Sequence, residues 1–196
     1  MKKHIVFLLL LCMLVMNICV VHVYGDGSRI VIGDDSNALV FSGSASDHYL
    51  VLSHNGVVTA WGNNQSGQCG TTPAETAGYT DIVFDTESKI VKVSAGNNFS
   101  MALDQDGIVW GWGANFRYQL GISSGHYPNY FTTPTQCGFG AVDIAAGTDF
   151  SAILTENGNV YLNGNNHTHQ KVNFPNDAKI KTISVKDRHI LALGDD

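Results

Sequence analysis

Charged residues are scarce in this 196-residue sequence, at 14% of the total, and no long 3.6-residue hydrophobic period occurs outside the N-terminus. Heptads rich in Lys or Glu are also absent, which excludes a coiled coil or a helical bundle. The chain has instead 21 Gly and 44% hydrophobic residues. This composition is typical of a β-rich globular protein, and the length suits one domain with a sizeable core.

Basic residues are fewer than acidic residues, 11 against 17, so the net charge is −6. The first 25 residues hold two Lys and no acid, so the remainder carries 9 basic and 17 acidic residues, a net charge of −8. Because an acidic surface repels phosphate groups, we predict that the chain binds no nucleic acid.

Groups that would catalyse a reaction or hold a metal are lacking as well. No Ser/His/Asp or Cys/His arrangement stands out, so we predict that the protein is not an enzyme. His167 and His169 share one side of a predicted strand, but a zinc site needs three or four ligands and no third is evident. The segment 104–107 resembles the opening of a calcium loop, and hairpin turn chemistry explains it fully. We therefore predict no catalytic residue, cofactor or metal.

Glycine recurs at a fixed interval of 51 residues. Two sets share this interval, a turn set (Gly56, Gly107, Gly158) and a second set (Gly62, Gly113, Gly164). A period near 50 residues is typical of a β-propeller or a related array. It also indicates a binding scaffold rather than an active site, because repeats keep their core geometry and vary their loops.

Each copy reads as a hairpin of two strands. Asn-Gly or Asp-Gly pairs at the turn supply the positive φ that type I′ turns need. Trp61 and Trp112 precede the second glycine of their copies, as expected where a neighbouring backbone approaches the strand end closely. One such hairpin cannot bury its apolar face alone, but stacked copies can.

Two segments, WGNNQSGQCG (61–70) and WGANFRYQLG (112–121), resemble the W-G-x-N-x-x-G-Q-L-G signature of the regulator of chromosome condensation (RCC1) repeat family. The resemblance covers roughly residues 38 to 193. It implies an all-β fold of four-stranded antiparallel propeller blades, seven in a closed ring. We assign 26–196 to the repeat domain, with repeats at about 38–70, 90–121 and 141–166 and a partial repeat at 180–196.

The chain departs from the family pattern at several positions. Cys69 replaces a Leu, Tyr118 replaces a Gly, and the third copy has Asn163 in place of Trp. About three and a half blades cannot close a ring of seven, so the ring is incomplete. The alternatives are a fragment, an open or smaller structure, and completion by a second chain in a homodimer. We also predict that 29–32 pairs with 189–193, a strand with no expected partner in its own copy.

The N-terminus has the layout of a secretory signal peptide. Lys2 and Lys3 precede an apolar run at 5–16, and 23–25 offers small or apolar residues for cleavage. We predict that 1–25 is a signal peptide and that the protein is secreted or on the cell surface. The alternative is an uncleaved anchor, the one case in which the chain would contact a membrane. In an oxidising compartment Cys69 and Cys137 could form a bridge; the other interpretation of Cys69 is a buried apolar residue.

Two sets of surface sites are predicted. Loop aromatics with an Arg make good binding anchors, and the alternative for them is packing between blades. This candidate partner-binding loop comprises Phe116, Arg117, Tyr118, Tyr127 and Tyr130. The sequons place candidate N-glycosylation sites at Asn64, Asn98 and Asn166. For Asn64, which matches Asn115, the alternative is a hydrogen bond to the loop backbone.

The leading functional hypothesis is a secreted or surface scaffold that binds another protein without catalysis. The best-known members of the resembled family act in the nucleus on chromatin and on a small GTPase, which a secreted chain would not meet. The alternatives are a nucleotide-exchange factor for a small GTPase and a truncated propeller without independent function.

The signal-peptide interpretation makes a direct prediction. The mature chain, collected outside the cell, should begin near Asp26. Intact mass spectrometry of the protein from the medium measures this start. A cell-bound chain that retains 1–25 would contradict cleavage and support the anchor.

Overall fold

The computed structural model describes residues 47–123 and 129–194 in full, and the backbone of three short strands before them. The strands are β1 His22–Val23, β2 Ile30–Val31, β3 Val40–Gly43, β4 His48–Leu52, β5 Val58–Asn64, β6 Ala74–Asp81, β7 Ile90–Ala95, β8 Phe99–Asp104, β9 Val109–Ala114, β10 Tyr130–Gly138, β11 Ala141–Ala146, β12 Phe150–Thr155, β13 Val160–Gly164, β14 His167–Lys171, β15 Ile180–Lys186 and β16 His189–Gly194. A single-turn 3-10 helix covers Pro175–Asp177.

Consecutive strands form antiparallel sheets of four: β3 to β6, β7 to β10, and β11 to β14. We call these sheets blades 1, 2 and 3, and the two-stranded sheet of β15 and β16 blade 4. The first strands of neighbouring blades contact one another, and later strands follow outward. The predicted all-β fold of four-stranded propeller blades in an incomplete ring is confirmed.

The hairpin turns fall at the predicted positions, but the predicted type I′ geometry is wrong, because Asn55, Asp106 and Asn157 do not have the positive φ that it requires before each glycine. Gly56, Gly107 and Gly158 all have positive φ. In blade 2 the Asp104 carboxylate caps the turn: its Oδ1 accepts hydrogen bonds from the backbone N–H groups of Asp106 (3.1 Å) and Ile108 (2.9 Å). Its second oxygen accepts one from the Trp110 indole at 3.0 Å. The carboxylate therefore organises a turn, as the hairpin interpretation of 104–107 requires.

The core lies between the blades rather than within any one sheet. Each junction between neighbouring blades holds its own cluster of buried apolar side chains. Representative members are Leu50, Val58, Ile90 and Trp112 between blades 1 and 2, Met101, Leu103 and Ile144 between blades 2 and 3, and Leu154, Val160, Ile180 and Ile183 between blades 3 and 4. Burial of these faces supplies the main stabilisation of the array.

Two of the turn glycines, which lie 51 residues apart, make the same contact with the next blade. The carbonyl of Gly107 accepts a hydrogen bond from the Ala141 N–H at 3.0 Å, and that of Gly158 accepts one from the Ile180 N–H at 3.1 Å. In each case a hairpin turn holds the first strand of the next blade. At the opposite end of the hairpin, the second glycine lies close to the backbone of the partner strand, as predicted. A Cβ on Gly113 would lie 2.6 Å from the Asn98 carbonyl oxygen.

A polar link also joins the first strands of blades 2, 3 and 4. The Lys92 ammonium forms an ion pair with the Asp143 carboxylate. The other oxygen of Asp143 lies 3.3 Å from the Ile183 N–H and 3.4 Å from the Thr182 hydroxyl. Asp143 is buried, so these partners offset the cost of removing its charge from water.

The predicted pairing of 29–32 with 189–193 is wrong. Strand β2 pairs with β1, and β16 pairs along its length with β15. The error arose because Ile180–Lys186, the first strand of blade 4, was not recognised as the partner of β16. Among the fully described residues no helix is long and apolar enough to cross a membrane. Apart from the β1 backbone, the predicted signal peptide lies outside the described residues.

Three glycine substitutions distinguish a steric clash from backbone strain as the cause of a loss of stability. Gly113→Ala should lower the free energy of unfolding by about 2 kcal/mol or more, because its φ is +89° and the new Cβ would meet Asn98 and Phe99. Gly140→Ala, with φ +65° and open space, should cost about 1 kcal/mol. Gly78→Ala has neither constraint and is the control. Urea unfolding measures all three; equal losses would contradict the close-approach argument.

Candidate protein-binding site

Two long loops connect the third and fourth strands of blades 1 and 2. We call them loop 1 (65–73) and loop 2 (115–129), and the structure describes loop 2 at 115–123 and 129. Because strands alternate in direction within each blade, both loops emerge at the same end of the array. In blade 3 only Asn165 and Asn166 make this connection.

One asparagine at the start of each loop holds it in shape. The Asn64 side chain accepts a hydrogen bond from the Cys69 N–H (2.9 Å) and donates one to the Thr72 carbonyl (2.9 Å). Asn115 does the same with the Leu120 N–H (3.1 Å) and the Ile122 carbonyl (2.8 Å). The two loops therefore share one internal architecture.

A buried glutamine completes that architecture. The side-chain oxygen of Gln68 accepts a hydrogen bond from the Ser66 N–H at 2.8 Å, and that of Gln119 accepts one from the Arg117 N–H at 2.9 Å. With the backbone held from beneath, the loop tips face solvent. Loop 1 presents a small polar tip, whereas loop 2 presents Phe116, 56% exposed, beside exposed Arg117.

The same glutamines attach each loop to the next blade. The backbone carbonyl of Gln68 accepts hydrogen bonds from the Ser100 hydroxyl and the Trp112 indole, both at 2.8 Å. The backbone carbonyl of Gln119 accepts a hydrogen bond from the Ser151 hydroxyl at 2.7 Å. All of these groups are buried, so the loops are rigid parts of the junctions and present their tips in a defined orientation.

Loop 2 carries backbone strain that loop 1 avoids. Tyr118 has φ +60°, and its counterpart in loop 1 is Gly67 with φ +78°. A side chain in the left-handed region costs about 1–2 kcal/mol, which glycine does not. Strain of this kind concentrates at functional sites, where it holds a side chain in place.

The structure brings most of the predicted binding residues together. Phe116, Arg117 and Tyr118 follow one another on loop 2, and Tyr130, 40% exposed, opens the returning strand opposite Ala114. Tyr127 lies outside the described residues. Phe131 packs against two junction clusters. The site thus combines exposed aromatic and cationic groups suited to a protein surface.

The sequons differ in accessibility. Asn64 is fully buried with its amide hydrogen-bonded, so the glycosylation prediction for Asn64 is wrong and its structural interpretation is confirmed. Asn98 is half-buried, and exposed Asn166 has φ +66° in the short turn of blade 3. Glycosylation at these two positions stays a prediction.

The two cysteines are free and buried in different junction clusters. Burial raises the pKa of the Cys69 thiol to about 11 and that of the Cys137 thiol to about 12. The interpretation of Cys69 as a buried apolar residue is confirmed, and the bridge is absent.

A row of aromatic side chains on blade 1 was not predicted from the sequence. Tyr49, Trp61 and Tyr79 form a row on the face of blade 1 opposite to the one that packs on blade 2, with ring centroids 5.6 Å and 5.0 Å apart. Trp61 is half-buried here, whereas its counterpart Trp112 is fully buried. The signal available was the large aromatic Tyr49 at the position that Ser100 and Ser151 hold in the later copies.

Blades joined by loops of this kind define a repeat protein of the β-propeller class. Models of the regulator of chromosome condensation (RCC1) repeat match residues 55–103 and 106–154, and a second RCC1 model matches 90–119 and 141–170. The chain belongs to the RCC1 repeat family.

Several relatives share this repeat region. The chain is 31% identical over 135 residues to the human protein named probable E3 ubiquitin-protein ligase HERC6, covering 63% of this chain and 13% of that protein. It is 30% identical over 129 residues to human protein RCC2, covering 64% and 24%. It is 31% identical over 153 residues to protein pim1 of Schizosaccharomyces pombe, covering 74% and 28%. The chain therefore spans 13% to 28% of the length of these relatives.

Solved structures share the fold. Yeast RCC1 (Prp20), in a complex with Kap60, superposes with a TM-score of 0.68 at 16% identity, covering 86% of this chain and 53% of that chain. Human WBSCR16 gives a TM-score of 0.67 at 21% identity, covering 89% and 50%. At these identities the likeness is one of fold alone.

The buried His48 generates a pH prediction. Its Nε2 lies 3.0 Å from the Ser100 hydroxyl, within the loop 1 attachment. Burial lowers the pKa of His48 from 6.5 to about 4. Since unfolded His binds a proton first, stability should be complete above pH 6.5 and fall as pH drops toward 4, by roughly 3 kcal/mol.

His48→Phe is the matched variant, because Phe99 and Phe150 occupy this position in the other copies. The free energy of unfolding of both proteins should be measured from pH 7.5 to pH 4. As the pH falls, the free energy of unfolding of the parent should decrease relative to that of the variant. Parallel curves would show that His48 does not titrate as its burial requires.

Proposed function

We propose that this chain is a secreted, non-catalytic scaffold that binds another protein through loop 2. The observation that carries the proposal is the exposed Phe116–Arg117 tip on a loop whose backbone is anchored by buried Asn115 and Gln119. A rigid exposed aromatic beside a cation can bind at little entropic cost. Strained Tyr118 supports the same site.

Loop 1 provides a matched control for this proposal. We expect Phe116→Ala/Arg117→Ala to weaken partner binding by at least about tenfold. Gln65→Ala/Ser66→Ala changes the equivalent tip of loop 1 and should bind like the parent. Tyr118→Gly should weaken binding while keeping the free energy of unfolding within about 1 kcal/mol, because glycine relieves the strain.

The experiment captures a partner from the medium in which the chain is found, with full-length tagged protein, and measures its affinity for each purified variant. A partner lost by the loop 2 variants and retained by the loop 1 variant supports the proposal. Equal binding by both pairs would place the contact elsewhere. Matching thermal melts show that the variants are folded.

Nucleotide exchange on a small GTPase is the second candidate. It is favoured by the fold likeness to Prp20p of Saccharomyces cerevisiae, TM-score 0.67, a structure presented together with its binding to Gsp1p and histones. A purified small GTPase loaded with fluorescent GDP tests it. A scaffold leaves the release rate unchanged, whereas accelerated release by the full chain would favour the exchange factor.

A further inference from the structure

The outer turn of blade 3 lies directly beside the tip of loop 2. Asn165 and Asn166 connect β13 to β14, and both have the positive φ of a type I′ turn, +52° and +66°. The Asn166 N–H donates a hydrogen bond to the Arg117 carbonyl at 3.0 Å. Because Phe116 precedes Arg117 in the chain, this turn is also a neighbour of the exposed aromatic of loop 2.

Two further contacts hold loop 2 and blade 3 together as one unit. The backbone carbonyl of Gln119 accepts a hydrogen bond from the Ser151 hydroxyl on β12. At the end of the loop, a Cβ on Gly121 would lie 2.9 Å from the Asn163 side chain on β13. The loop 2 tip therefore cannot move away from anything attached to the outer turn.

Asn166 begins a sequon, Asn166-His167-Thr168, and its side chain is accessible. Asn166 and His167 are exposed. Among the described residues, no hydrogen bond is made by the Asn166 amide. The amide of Asn64, by contrast, is buried and occupied on both its oxygen and its nitrogen.

A glycan on Asn166 would occupy the space that a partner of loop 2 needs. N-linked glycans are bulky and hydrated, and they lie at the protein surface. Here the attachment residue is in backbone contact with Arg117 itself, so the glycan would extend into the solvent over the loop 2 tip. The folded structure thus accommodates the modification but not the modification and a bound protein together.

We propose that Asn166 is N-glycosylated during secretion and that its glycan masks loop 2, so that chains without this glycan are the ones that bind the partner. The inference rests on the proposed function, for both the secretory route and the loop 2 site. In the transfer, the Asn166 amide nitrogen bonds to the anomeric carbon of an oligosaccharide carried on a lipid diphosphate. The lipid diphosphate leaves, and the amide nitrogen gives up one proton.

Site occupancy is the first test. The full chain, expressed in cultured eukaryotic cells and collected from the medium, should yield a glycopeptide that contains Asn166 on peptide mass spectrometry. Thr168→Ala removes the sequon and should abolish the glycan, whereas Thr168→Ser keeps the sequon and should retain it. A secreted chain with unmodified Asn166 would overturn this inference alone. A chain that never reaches the medium would count against the secretion on which both proposals rest.

Masking can be measured without a partner. We expect the glycan to slow the labelling of a Phe116→Cys variant by a bulky maleimide-polyethylene glycol at least about fivefold, relative to the same variant carrying Thr168→Ala. Gln65→Cys at the loop 1 tip is the control and should react at one rate in both backgrounds. The native Cys69 and Cys137 are buried with raised thiol pKa values, so they stay unlabelled. Equal rates for Phe116→Cys with and without the glycan would contradict masking.

Partner affinity separates this inference from the proposed function. The Thr168→Ala chain should bind the captured partner at least about tenfold more tightly than the glycosylated Thr168→Ser chain. Equal affinity of the two would contradict masking. Phe116→Ala/Arg117→Ala in the Thr168→Ala background should lose the partner; retained binding would instead count against the loop 2 site and leave the occupancy and labelling results standing. Matching thermal melts show that all of these variants are folded.

Discussion

The packing of one blade against the next is the constraint on which the rest of this structure depends. A four-stranded sheet with two apolar faces has no stable existence in water by itself, so each blade must be covered on both sides. Here the cover combines an apolar cluster, a glycine turn that holds the next first strand, and a glutamine carbonyl that accepts hydrogen bonds from the next blade. Because these contacts differ in position along the strands, they set both the spacing and the register of the blades.

This constraint explains where variation is tolerated. Asn64 and Asn115, with Gln68 and Gln119, are committed to the loop backbone and the junction. The residues at the loop tips have no such role and differ between copies. A junction that makes the loops rigid therefore also makes them suitable for recognition, since little conformational entropy is lost on binding.

The junction is also directional. Each internal blade offers one face forward and one face back, and both are covered. Leu191 and Leu193 of blade 4 lie on the forward face of their blade, as the equivalent Ala152 and Leu154 do in blade 3.

Much of the blade could be predicted from local sequence. The interval of 51 residues, the Asn-Gly and Asp-Gly turns and the alternation in β4 are periodic or short-range signals, so they identify hairpins and their stacking without coordinates. The shared motif of 61–70 and 112–121 led to the family for the same reason. Burial of Asn64 was not decided by its sequon, which describes three residues and nothing of their neighbours.

Only the tertiary structure decided which equivalent residues have equivalent surroundings. Trp61 and Trp112 occupy one position of the repeat, yet the first is half-buried and the second fully buried. Leu193 and Leu154 differ in the same way. A repeat motif specifies the face that a side chain lies on, because that follows from strand period. Whether the face is covered depends on the neighbouring blade, which lies tens of residues away in the chain and contacts it only in the folded array.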